Sequence, residues 1–252
     1  MSYFKNFPDT QYTFPDGSVV TIKDIFKKAK IEQKALNGII EYTYYEVQEG
    51  ERPDVVASKL YGDGDLHWVF YLTNDFDNYY SWYKSSQNLT KYLEEKYTGY
   101  ILRGSATSDI LQAASPNVDA LNQPIAATKF LLGEKVTSIS AEGTVIEVRA
   151  QDKEIVVELS SSNVFLTTEA VTGAISGKSF TPSSVIEHVN GISYYKDANG
   201  NRKNTSGSGY TAVTHYEEEL DKNEELRKIK VVKPSLISRV VSEFGRIIRW
   251  RM

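Results

Sequence analysis

Between Tyr42 and Asn74 the chain reads YTYYEVQEGERPDVVASKLYGDGDLHWVFYLTN, and the order of its breaks constrains the fold more than any other stretch. Tyr42 to Val47 is a run of aromatic and β-branched residues, which suit a pleated, half-buried strand. Gln48, Glu49 and Gly50 break it. Pro53, with its fixed φ and missing donor, fits the first turn of a helix, and Val55, Val56, Ala57 and Leu60 follow at helical spacing. Gly62 stops that helix. Asp63 or Asp65 can cap the next, where Leu66, Trp68, Val69 and Leu72 form an apolar face before Asn74 ends the pattern. The stretch therefore predicts one strand followed by two short helices.

Taken together, Y-x-V, G-E, V-A-x-K-L-Y-G, Trp68 and Asn74 resemble a LysM module. The fuller string RPDVVASKLYGDGDLHWVFYLTND is similar to the LysM-like baseplate wedge subunit family of contractile-tailed bacteriophages. The opening MSYFKNFPDTQYTF, Trp82 followed by LTKYLEEKY, and RKIKVVKP ahead of an apolar helix fit the same family. The resemblance covers residues 1–100 and 215–250. It implies a virion structural protein whose module grips other wedge subunits instead of a sugar.

Composition agrees with a folded, cysteine-free chain. At 252 residues it can bury about 70–75% of its unfolded surface. The absence of cysteine excludes a disulfide framework, a thiolate nucleophile and sulfur-based zinc sites, and fits assembly in a reducing host cytoplasm. A net charge of −4 spread over both signs argues against bulk nucleic-acid binding. No apolar run is long enough for a membrane span, and no signal peptide is expected at the start. The 17 tyrosines offer large contact area with a polar tip, in a core or at an interface.

Residues 1–20 place Phe4, Phe7, Tyr12 and Phe14 among Pro8, Pro15 and Gly17 without periodicity, which reads as an extended aromatic arm or as a terminal strand. From Thr21, a possible cap, Ile22, Ile25, Phe26 and Ala29 suggest a short amphipathic helix. The LysM-like domain with its flanking helices is expected over 21–102, including a helix on which Leu89, Tyr92, Leu93 and Tyr97 share a face. A glycan-binding LysM would return directly to a second strand. No such strand follows Asn74, which argues against sugar binding.

Residues 103–128, rich in Ser, Ala, Thr, Asn and Pro, read as a linker or a surface-tracking segment. A small inserted β-domain is expected over 129–195. There, FLLGEKVTSIS at Phe130 and FLTTEAVTGAIS at Phe165 form a weak internal repeat, and V-I-E follows each, at Val145 and at Val185. Residues 196–209 form a flexible or turn-forming tract in which Asn199-Gly200 favours a tight hairpin. Over 210–252 a strand is expected, and then, beyond Pro234, a helix capped by Ser235 with an apolar stripe of Leu236, Ile237, Val240, Val241, Phe244, Ile247 and Ile248. That stripe can dock on its own domain, on a neighbouring subunit or, flanked by arginines and Trp250, on a membrane. The first two are favoured, because the helix is short.

No hydrolase, nucleotide-binding or metal-ligand spacing is present. His67, His188 and His215 are scattered, and Asp197, Asn199 and Asn201 begin like a calcium loop, but glycine falls two places early and serine stands at 208 where a bidentate glutamate is required. No catalytic residue, metal or cofactor is assigned.

The fold class expected is α+β: a LysM-like N-terminal domain with a strand-helix-helix core, an inserted small β-domain and a C-terminal amphipathic helix. The family resemblance implies a baseplate wedge subunit located in the virion. Its partners would be the paired core-bundle subunits, a sheath-initiator-like wedge protein and neighbouring copies in a six-fold baseplate, with no nucleic acid, membrane or small-molecule substrate. Contact residues are expected at Phe4 and Phe7 in the arm, at Tyr61, Trp68, Tyr71 and Trp82 in and beside the module, and at Leu236, Ile237, Val240, Phe244, Ile247 and Trp250 in the last helix. The alternative is a LysM-type module binding peptidoglycan or N-acetylglucosamine polymers.

Overall fold

The computed structural model describes residues 7–24, 42–112, 115–118, 124–125 and 128–250. The chain divides into two compact units, one formed by 1–89 with 221–252 and the other by 90–220. Helix and sheet are mixed in an α+β arrangement.

The first unit opens with a hairpin of β1 (Asp9–Thr13) and β2 (Val19–Lys23), turned at Gly17 with φ +84°. Of the two readings of residues 1–20, the described part follows the strand and not the extended arm, since 9–23 form a hairpin; Thr21 and Ile22 lie in a strand instead of starting a helix. The cause is the Pro-Asp-Gly turn, closed by Gly17 N–H donating to Phe14 O at 2.9 Å, which brings a β-branched run against residues 9–13. The helix expected at Ile25, Phe26 and Ala29 lies outside the described residues.

Next come β3 (Tyr42–Glu46), α1 (Pro53–Tyr61), a 3-10 turn at Gly64–His67 and α2 (Trp68–Asn74). Pro53 begins α1, and Gly62, at φ +75°, ends it in the left-handed conformation that glycine adopts without a Cβ clash. Asp63 then accepts the N–H of Asp65 at 2.9 Å and caps the turn into α2.

The partner of β3 comes from far away. β18 (Lys228–Val232) pairs antiparallel with it, from Lys228 opposite Glu46 to Val232 opposite Tyr42. The return strand that does not follow Asn74 is thus supplied from near the end of the chain. Helix α2 is apolar on nearly all sides and separates two cores. Phe70 faces Val47, Val56, Ala57, Trp82, Ile229 and Val231, whereas Trp68 and Val69 face Phe7, Val232, Val240, Phe244 and Ile248.

The second unit is built on a seven-stranded sheet in the order β13-β12-β9-β10-β11-β4-β14, with every pairing antiparallel. These strands are β4 (Tyr100–Arg103), β9 (Lys135–Thr137), β10 (Glu142–Arg149), β11 (Glu154–Leu159), β12 (Val171–Gly173), β13 (Ser179–Phe180) and β14 (Ser184–Glu187). Because β4 sits between β11 and β14, this unit reaches beyond the 129–195 expected for the insert. Nor is 103–128 simply a linker: it contains a short helix, Thr107–Ile110, whose Ile110 is fully buried in the core, and two small strand pairs. Short polar residues hide that one apolar anchor from a periodicity reading. A further three-stranded sheet joins β15 (Ile192–Lys196), β16 (Arg202–Lys203) and β17 (Thr211–Thr214), with a tight turn at Asp197–Gly200. Asp197 there accepts the N–H groups of Asn199 and Asn201 at 2.9 Å each.

The internal repeat has a structural counterpart. Phe130 and Phe165 occupy matching positions and are both buried, as are Val136 and Val171, and β9 pairs with β12. Each copy's glutamate grips the other copy's turn. Glu134 accepts the N–H groups of Ile175 (3.2 Å) and Ser176 (3.0 Å), while Glu169 accepts the N–H (2.9 Å) and the hydroxyl (2.7 Å) of Ser140. The isoleucines at the two turns, Ile139 and Ile175, are 92% and 72% exposed. The duplication thus places an apolar side chain on each of two carboxylate-held turns.

Candidate functional site

In the first unit, most residues expected to touch partners are consumed in its own packing. Trp68 packs against Phe244 at 4.4 Å between ring centroids with the planes tilted, and Phe7 meets Phe244 edge-on at 6.5 Å. Tyr61 stacks on Phe70 at 5.5 Å. Tyr71 and Phe70 both lie against Trp82, whose indole Nε1 donates to Glu51 O at 2.8 Å. Burial pushes the Tyr61 phenol up to about 12.

The last helix, α6 (Ile237–Trp250), places Val240, Phe244 and Ile248 in the core at four-residue steps, with Leu236 and Ile237 half-buried beside them. Arg239, Ser242, Glu243 and Arg246 point outward. Helix α6 docks on its own unit, the first of the three readings of its stripe. Phe4 and the side chains of Ile247 and Trp250 lie outside what is described. No helix among the described residues is long and apolar enough to cross a membrane.

Two asparagines hold this scaffold together. The Asn74 side chain accepts the Lys230 N–H at 2.7 Å and donates to Lys230 O and Phe70 O, both at 2.9 Å, so it pairs with β18 much as a strand would. Asn223 does the same for Lys84, accepting its N–H at 2.8 Å and donating to its carbonyl at 2.9 Å. A sequence reading takes Asn74 as a helix terminator. Nothing local shows that its amide binds a strand so distant in the chain.

The hairpin presents the clearest free surface of this unit. Tyr12 lies opposite Val20 and Thr10 opposite Ile22, so these four share one face, and Phe14 packs edge-on against Tyr12 at 5.0 Å. Tyr12, Phe14, Val20 and Ile22 are 38–50% exposed. The opposite face carries Asp9, Gln11, Thr13, Thr21 and Lys23 together with Val19. The root is fixed: Phe7 is buried, Lys23 pairs with Asp9 at 2.7 Å and donates to Phe7 O at 3.1 Å, and Asp24 N–H donates to Pro8 O. An isolated two-stranded hairpin is marginal in water, so a rooted hairpin with an uncovered apolar face is suited to being completed by another surface.

The second unit holds a polar cluster that scattered positions in the sequence conceal. His188 and His215 meet at 5.3 Å between ring centroids, and Tyr97 stacks on His215 at 4.6 Å. His188 Nδ1 lies 3.1 Å from Thr98 O, and its Nε2 lies 3.3 Å from Arg149, which is itself held by Glu147. Burial, followed by the charges of Arg149 and His188, depresses His215 to about 4, and burial likewise lowers His188. Both rings are therefore neutral at neutral pH and serve as packing groups.

Among the described residues, side chains hold strands and turns in place, and apolar groups are exposed on the hairpin and on the two carboxylate-held turns. Residues 3–102 match the family model described as base plate wedge protein 53. It is 34% identical over 84 residues to the protein named baseplate wedge protein gp53 of Enterobacteria phage T4. That match takes in 32% of this chain and 42% of the relative, so the chain spans less than half of that protein's length.

Proposed function

We propose that the chain is a structural virion protein, a baseplate wedge subunit of a contractile phage tail, joining wedge core subunits and neighbouring wedges around the hub by protein contacts. The observation carrying this reading is the family match over 3–102, which takes in the hairpin, β3, α1 and α2. The layout supports it: a rigid unit, built from strand, helix, helix and distant strand, carries a rooted hairpin with an uncharged apolar face. On this reading Tyr12, Phe14, Val20 and Ile22 make the primary contact, and the buried Phe7, Trp68, Trp82 and Phe244 hold their support in place. The paired core-bundle subunits, a sheath-initiator-like wedge protein and neighbouring copies are the proposed partners. The site of action is the tail baseplate after assembly in the host cytoplasm.

One observation favours a second reading. The pairing of β3 with β18 supplies the return strand whose lack argued against a sugar-binding LysM-like module. Binding to peptidoglycan or N-acetylglucosamine polymers is therefore the competing function.

Affinity capture of the tagged chain from infected cells, with mass spectrometry of what co-purifies and parallel sedimentation with insoluble peptidoglycan, separates the two. Recovery of tail baseplate proteins without wall binding is expected. Wall binding without virion proteins would reverse the assignment.

A further inference from the structure

The second unit contains a groove of 550 Å³ between the end of α3 (Ser86–Lys96) and the β14–β15 connection. We infer that it is a receptor for a basic side chain, arginine in preference to lysine, offered by a partner protein. This does not rest on the wedge assignment, because it is argued from the charge and shape of the groove alone.

Its lining residues include Tyr100, Tyr216, Leu93 and Val189, and two exposed acidic residues, Glu94 and Glu187. No lysine or arginine is among the lining residues. Among the described residues neither Glu94 nor Glu187 takes part in an ion pair; Glu187 only accepts a hydrogen bond from the Asn190 amide at 3.0 Å. Nearby cations are committed elsewhere: Lys96 to Glu219 at 3.0 Å, and Arg149 to Glu147 at 2.7 Å. The groove therefore carries two carboxylates outside any ion pair together with two tyrosines, and an aromatic ring also favours a cation. A planar guanidinium can stack on a tyrosine ring and bridge a carboxylate through two N–H donors, which an ammonium cannot do.

The groove is also preformed. Gly99, at φ +82°, lets the backbone pass close to β11, where a Cβ would come within 2.3 Å of Val157 O. The N–H of His188 donates to Gly99 O at 3.0 Å, and His188 Nδ1 lies against Thr98 O. Little ordering is needed when a ligand enters such a cleft.

The test is an amide NMR titration of the full chain with acetyl-Gly-Arg-Gly-amide, its lysine counterpart and its citrulline counterpart, which has the shape of arginine without the charge. N,N′,N″-triacetylchitotriose serves as a fourth probe. The arginine peptide should move the amides of Gly99 and Asn190 and saturate in the millimolar range, as expected for one side chain. Citrulline should bind about five-fold more weakly, with lysine in between. A Glu94→Gln, Glu187→Gln double variant should keep its dispersed spectrum and lose the preference for arginine over citrulline. Equal binding of arginine and citrulline, a response at these amides to the sugar alone, or no shift with the arginine peptide at about 50 mM would overturn the inference.

Discussion

Trp68 and Phe244, from distant parts of the sequence, pack with ring centroids 4.4 Å apart and planes tilted by 38°. The contact ties the last helix to the helix that separates the two cores of the first unit, so the C-terminal segment is part of the scaffold. Phe244→Ala removes the shared ring and leaves a cavity, and should cost about 3–5 kcal/mol. Urea denaturation checks this; a cost below about 1 kcal/mol would mean that α6 is not part of the core.

Asn74→Ala should destabilise the first unit by about 2 kcal/mol, because the backbone groups of Lys230 lose a two-way partner in a half-buried setting. Asn74→Asp keeps the acceptor but loses the donor bonds to Phe70, Thr73 and Lys230, so its cost should be smaller at the Lys230 amide than that of alanine. Hydrogen exchange at Lys230, compared among wild type, Ala and Asp, reads this order directly.

Replacing Tyr12, Val20 and Ile22 together with serine should leave thermal stability within about 1 kcal/mol of wild type, since these side chains are largely exposed. Recovery of baseplate proteins from infected cells should fall at least about ten-fold if this face is an interaction hot spot. Unchanged recovery would move the contact off the hairpin.

Glu134 is fully buried, and three N–H groups, those of Leu131, Ile175 and Ser176, converge on its carboxylate. Burial pushes its pKa up, but the amides of Ser176, Leu131 and Ile175 outweigh this and hold it below the ordinary value. Glu134→Ala should cost about 2–3 kcal/mol. Glu169→Ala, at the more exposed copy of the repeat, should cost less. Equal losses would show that exposure does not distinguish the two clamps.

His188 and His215 resist protonation in the folded chain, His215 down to about pH 4. As pH falls below the ordinary imidazole value near 6.5, the unfolded chain takes up protons that the folded chain does not, so stability should decline between about pH 6.5 and 4. His215→Phe keeps a ring on Tyr97 and should flatten that decline. The groups facing these rings, Arg149, Glu147, Glu154 and Glu218, are unchanged in the variant. Urea midpoints at pH 7 and pH 5 for both proteins measure the difference.

Much of the local structure is legible from residue order. Pro53, Gly62, Asp63 and Asn74 mark where elements begin and end, because φ restriction, left-handed backbone and capping are properties of single residues and their immediate neighbours. The stripe of Val240, Phe244 and Ile248 reads as a helix with a buried face for the same reason, and the duplicated F-L and V-T patterns point to paired strands. What covers that stripe, which strand completes β3, and where the second unit begins are long-range choices. Backbone hydrogen bonds are the same for every residue type, so nothing in Tyr42–Glu46 names Lys228–Val232 as its partner, and nothing in Tyr100–Arg103 announces the middle of a seven-stranded sheet. The aromatic residues that the sequence offers as contacts are claimed by the core because burying them inside releases more water than leaving them on display. Which side chains folding leaves uncovered is a long-range outcome, and only the tertiary structure determines it.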